Sequence, residues 1–110
     1  MTSESEETGC EPDVIEELPG QPLRHDTVDE IAHTDAFTGI MVVPGEKLVR
    51  GMVLETEDTF IVAAFDPRDN VWRKLNTYPV TAYERPEMLR QGIQDRTRWL
   101  NETGRLTEAI

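Results

Sequence analysis

The sequence predicts an α+β fold: a four-stranded antiparallel β-meander with a short N-terminal helix before it and a long C-terminal helix packed on the sheet. Three observations carry that prediction. Between Phe37 and Tyr78, four β-rich runs are separated by connections too short for anything but antiparallel neighbours. From Pro86 onward the apolar residues recur at helical spacing, and Gly104 stands where a helix-closing glycine belongs. Every aromatic residue (Phe37, Phe60, Phe65, Trp72, Tyr78, Tyr83, Trp99) lies beyond residue 36, so the core-forming material sits in the later two-thirds of the chain.

In chain order, residues 1–20 read as an acidic, largely disordered arm, and 21–110 as a single α+β domain. The opening MTSESEETGCEPD has too little apolar surface to offset the entropy of ordering it, and the leader is expected to add little core. Val14, Ile15 and Leu18 make at most one amphipathic turn before Pro19-Gly20 ends it. Thr27 and Glu30 fit a capping box, which predicts a helix over about 27–35 with Val28, Ile31 and Ala32 on its apolar face.

Strands follow at about 37–43, 47–55, 59–65 and 71–78. Pro44-Gly45 suits a type II turn between the first two. In the second, alternation sets Leu48, Met52 and Leu54 on one face and Val49 and Val53 on the other. The third is apolar on both faces, with Phe60, Val62 and Ala64 opposite Ile61, Ala63 and Phe65, as a strand covered on both sides would be. The final helix covers about 86–103, with Leu89, Ile93 and Leu100 as its buried stripe, and 106–110 continue as a tail. If both helices cover one face, the other needs a second layer, from the N-terminal segment or from a homodimer partner. Gly92 inside the helix and Gly51 inside the second strand predict a close approach of helix to sheet or to a second copy.

Charge is distributed unevenly. The chain of 110 residues carries 22 acidic and 11 basic residues, a formal net charge of −11. Half of the acidic residues fall in 1–35 beside a single base, Arg24, while the segment from 71 to 105 is mildly basic. Arginine far outnumbers lysine, which occurs only at Lys47 and Lys74. This composition resembles that of cytoplasmic proteins from extreme halophiles. At about 1 M salt the Debye length is roughly 3 Å, so a dense negative surface repels itself little while staying hydrated. A cytoplasmic setting is expected: Met1 to Gly9 lack the basic and apolar regions of a secretory leader, and no run is long and apolar enough to span a membrane.

The run Ala64-Phe-Asp-Pro-Arg-Asp-Asn-Val-Trp-Arg-Lys-Leu75 resembles the inner hairpin of a kelch repeat. A propeller needs several blades, and this chain is too short for one. The resemblance therefore implies a hairpin, with Asp66 initiating its turn and Trp72 packing on a sheet face, and no kelch activity. Asp66, Asp69 and Asn70 have the oxygen donors of a cation loop, but the EF-hand pattern is missing and turn formation explains them. His25, Asp29 and His33 would line one helix face as metal ligands, except that the Thr27 cap sets His25 ahead of the helix. No metal and no cofactor is expected. Nucleophile elbows, phosphate loops and zinc-protease motifs do not occur, so the sequence argues against an enzyme. Cys10 lies among carboxylates that disfavour its thiolate.

The candidate binding residues are Arg73, Arg90 and Arg98, which form a basic strip, with Trp72, Tyr78 and Trp99 nearby. The competing reading makes Arg90 a helix-surface partner of Glu87, and Arg98 one of Asp95 and Glu102. Two functions follow as expectations. The first is a small non-catalytic interaction or regulatory module that binds a protein partner, or a second copy, through its sheet face or its Arg-bearing helix. The second is a small-molecule-binding or enzymatic domain with a pocket between the long helix and the sheet, near Trp72, Tyr78 and Trp99. Nucleic acid is disfavoured, because counterion release loses its drive at high salt and the chain is acidic.

Overall fold

The computed structural model describes residue 15 and residues 17–109. Helix α1 spans His25–Ala32. Strands β1 (Gly39–Val42), β2 (Gly51–Glu55), β3 (Thr59–Asp66) and β4 (Val71–Pro79) follow, then α2 (Arg85–Glu102) and a 3-10 turn at Leu106–Ala109. The sheet order is β1-β2-β3-β4, antiparallel throughout, which is the expected meander. Gly45 has φ +88°, the left-handed conformation that a type II turn demands of its third residue. Asp66 does initiate the β3–β4 turn: its Oδ1 accepts from the N–H of Arg68 at 2.9 Å and of Asp69 at 3.3 Å.

Register decides which side chains share a face. Leu54 pairs with Ile40 and Ile61, and Met52 with Val42 and Ala63. Val53, one residue along, pairs with Met41 and Val62 on the opposite side. The sheet therefore separates two cores. One gathers Met52, Leu54, Ile61, Ala63, Phe65 and Trp72 with Ile15, Leu23, Val28, Phe37 and Val49. The other gathers Val53, Phe60 and Val62 with Met88 of α2. β3 lies between them, buried from Phe60 to Asp66.

The two helices thus cover opposite faces rather than one. The N-terminal segment supplies the second layer, which removes the argument for a homodimer partner there. It also corrects the expectation that the acidic leader adds little core, since Ile15 is only 2% exposed. The remainder of the proposed arm, residues 1–14 and 16, lies outside the described residues.

Leu23 is fastened to Val49 by an isolated antiparallel bridge, with N–H···O distances of 3.0 and 2.7 Å. The Trp72 indole N–H donates to the carbonyl of Gln21 at 3.0 Å and packs edge-on to Phe65. This bridge explains two departures from the expected pattern. It holds the backbone extended through Arg24, so α1 starts at His25 and Thr27 falls inside the helix instead of capping it. It also ends the regular strand early, so β2 starts at Gly51 and Val49 joins the cluster of Met52 and Leu54.

α2 is rotated relative to its expected stripe. Met88, Gly92, Asp95 and Leu100 are buried, whereas Leu89 is half-buried and Ile93 is 43% exposed. The cause is Gly92: a Cβ there would lie 2.7 Å from Cγ2 of Val53, so the helix backbone rests directly on β2. The close approach expected from Gly92 is thus to the sheet. Gly104 (φ +72°) closes the helix, with the N–H of Arg105 bonded to the carbonyl of Leu100 at 2.8 Å. Among the described residues, no helix is long and apolar enough to cross a membrane.

Candidate functional site

Three polar constellations lie on the α2 side of the sheet. The first surrounds Asp66, whose side chain is fully buried. Arg73 Nε donates to its Oδ2 at 2.6 Å, and Arg105 Nε to its Oδ1 at 2.7 Å. The closing turn of α2 delivers Arg105, whose guanidinium also lies 5.4 Å from the centre of the Trp99 ring. Burial works to raise the Asp66 carboxyl pKa. The hydrogen bonds from Arg105, Arg73 and the backbone N–H groups of Arg68 and Asp69 outweigh it and hold that carboxyl well below the usual carboxylate range. Four donors converge on this one buried carboxylate, three on Oδ1 and one on Oδ2, so the cluster acts as a structural clasp.

The second is built on Asp95, 3% exposed within α2. The Tyr78 hydroxyl donates to its Oδ2 at 2.6 Å and Gln91 Nε2 to its Oδ1 at 2.8 Å. Burial, then the charge and hydrogen bond of Asp95, push the Tyr78 phenol up to about 12. A phenol that stays protonated this firmly serves as a donor to Asp95 and not as a base.

The third is a cleft of about 130 Å³ between α2 and the β1–β2 edge of the sheet. Two glycines create it. Gly92 sets the helix onto β2, and Gly51 leaves the space through which Arg96 passes, since a Cβ there would sit 2.7 Å from Arg96 Cδ. Val43, Val53, Ala63, Leu89 and Ile93 give apolar walls, and the two charged residues in the lining are Glu46 and Arg96. Nε of Arg96 is buried and has no hydrogen-bond partner among the described residues. Burial pushes the Arg96 pKa down, Glu46 pulls it up through space and Arg50 pushes it down again. The guanidinium stays charged at neutral pH in any case. A desolvated donor without an acceptor is costly, by about 1–3 kcal/mol and more when it is charged. A carboxylate entering the cleft would offset that cost by pairing with the Arg96 guanidinium, whose residue lines it.

The expected site residues do not converge. Trp72 is buried on the face opposite α2, in the core beneath the N-terminal segment. Arg73 is engaged by Asp66 and Asp69. Arg98 lies 4.0 Å from Asp95, and Arg90 borders a separate shallow hollow beside Glu87 and Gln94. Tyr78 belongs to the Asp95 group and Trp99 to the Arg105 group. A pocket does exist between the long helix and the sheet, but at Gly51, Gly92 and Arg96 rather than near Trp72, Tyr78 and Trp99. Arg96 itself was missed. The signal that points to it is the glycine pair: one helical turn after Gly92, position 96 falls on the same helix face, above the gap left by Gly51.

His25 lies within α1 after all, yet no metal set forms with it. Its Nε2 donates to the carbonyl of Glu46 at 2.6 Å, and His33 Nδ1 donates to that of Asp29 at 2.6 Å. No group of three His, Cys, Asp or Glu side chains suited to a metal ion occurs among the described residues.

Residues 14–99, more than half of the chain, match a family described as Domain of unknown function (DUF7964). No curated protein and no solved structure matches the chain.

Proposed function

We propose that this chain, which belongs to the DUF7964 family, is a non-catalytic binding module whose site is the Arg96 cleft and whose ligand is a small organic anion. The observation that carries this is Arg96, which lines a cleft with apolar walls and whose buried Nε has no acceptor among the described residues. Stability selects against such a group, and a ligand that completes it supplies the reason to keep it. The lining offers one cation to hold an anion and one carboxylate, Glu46, and it groups no nucleophile with a base among the described residues. The composition supports a setting of concentrated salt inside the cell, where a partly buried pair is screened far less than a surface one.

The test is an NMR titration of the full chain that follows the Arg96 Nε–H and the Gly51 and Gly92 amides. Isobutyrate is expected to shift all three saturably, and the neutral isobutyramide to leave them in place. An Arg96 signal that ignores every carboxylate ends this reading. A second reading, a protein partner that inserts an acidic side chain, is favoured by Ile93, which is 43% exposed at the cleft. In that case Ile93→Ser and Arg96→Gln would each abolish capture of the same partner, and isobutyrate would compete with it.

A further inference from the structure

Building on the binding role just proposed, we infer that the cleft is selective for monocarboxylates with a compact hydrocarbon body, and that Glu46 is the residue that rejects dianions. Size sets the body. A cavity of about 150 Å³ lined by aliphatic side chains holds benzene, so the volume here, about 130 Å³, suits a branched or cyclic body of about four to six carbons. Val43, Val53, Leu89 and Ile93 provide its contacts.

Local charge sets the head group. The charged residues in the lining are Arg96 and Glu46, and Arg50, outside the lining, acts on Arg96 through space. They leave one positive charge, which a single carboxylate cancels. A second negative charge would be confined with Glu46 at short range, where the low dielectric magnifies repulsion. Glu46 is not free to swing aside with its loop, because His25 holds its backbone carbonyl at 2.6 Å from α1.

The experiment titrates the full chain with isovalerate, succinate and monomethyl succinate at fixed ionic strength, for the native protein and for Glu46→Gln. Isovalerate is expected to saturate the Arg96 Nε–H shift, with succinate about tenfold weaker or more and monomethyl succinate recovering most of that loss. In Glu46→Gln the gap between isovalerate and succinate should narrow to about threefold or less. The monomethyl ester makes the same comparison without any substitution, so the result does not hang on one variant's folding. Succinate binding as tightly as isovalerate, or an unchanged ratio in Glu46→Gln, overturns the selectivity while leaving anion binding intact. Silence toward all three acids overturns the binding role itself.

Discussion

Two arginine environments stand side by side on the α2 face of the sheet, separated by one strand. Ala64 of β3 is paired to Arg73 on one flank and to Gly51 on the other. Toward Arg73, two guanidinium groups converge on the buried Asp66 carboxylate, which also accepts two backbone N–H groups. Toward Gly51, the Nε of Arg96 is buried and meets no acceptor among the described residues, with Glu46 felt only through space. The residue type and the sheet face are the same, and the accounting is opposite. A desolvated ion cluster with every donor and acceptor matched holds a fold together and has nothing left to offer a ligand. A desolvated cation with its acceptor missing is a fold held at some cost, and that cost is what a ligand can recover. Arginine count and sequence spacing do not separate the two cases. Acceptor supply does.

The largest effect should come from breaking the filled side. Asp66→Asn leaves Arg73 and Arg105 facing a neutral amide and is expected to cost about 3–5 kcal/mol, read as a lowered urea midpoint. The same carboxyl gives the acid limb of stability its shape. Its folded pKa lies below its unfolded value of about 3.9, so in the acid range the unfolded chain binds a proton that the folded chain refuses. Its contribution is complete above that unfolded value and is lost as pH falls through the depressed folded one. Asp66→Asn should therefore flatten the decline of stability below about pH 4. A decline as steep as in the native protein would show that the clasp is not its source.

Next comes Tyr78→Phe, which removes the donor at 2.6 Å from the buried Asp95. The expected loss is about 1–3 kcal/mol, since Oδ2 of Asp95 then loses its 2.6 Å donor while Oδ1 keeps Gln91 and the more distant Arg98. Here the sign reverses. The folded phenol titrates at about 12, above the ordinary value of about 10. Its share of stability is present below pH ~10 and disappears as pH rises toward the folded value, while Tyr78→Phe should show no such loss.

Gly92→Ala brings a methyl to 2.7 Å from Val53 Cγ2. Overpacking of about 1–3 kcal/mol exceeds the gain of about 1 kcal/mol from replacing a helical glycine, so a net loss of about 1 kcal/mol is expected in thermal unfolding. Full stability would dismiss close approach as the reason for this glycine. The smallest effect is the sharpest contrast. Arg96→Gln should leave stability unchanged or raise it by up to about 1 kcal/mol, because no pair is broken and an unmatched charge is relieved. A loss as large as that of Asp66→Asn would mean that Arg96 is a structural ion after all.

Much of the frame is legible in the sequence, and the reasons are local. The continuous apolar run in Thr59–Phe65, Pro44-Gly45, the Asp66-Pro67 turn and the pair Pro86 and Gly104 each act within a few residues, and each appears where local rules place it. What escaped is tertiary. The Leu23–Val49 bridge links two single residues that carry no periodicity, and it moved the start of α1 and the side taken by Val49. The rotation of α2 was set by one backbone contact at Gly92, which sent Ile93 outward and drew Asp95 in. Arg73, Arg90 and Arg98 drew notice as charges in a row, yet Arg73 is paired and the other two lie on the helix surface. Arg96 was visible only by reading Gly51 and Gly92 together.

The two tryptophans divide between the two layers, and this makes the chain its own optical gauge. Trp72 donates to Gln21 beneath the N-terminal segment, while Trp99 lies under Arg105, itself bound to Asp66. In a Trp99→Phe variant, emission reports departure of the leader from its sheet face. In Trp72→Phe it reports the surroundings of Trp99 beneath Arg105, so the two layers can be watched separately during one acid titration.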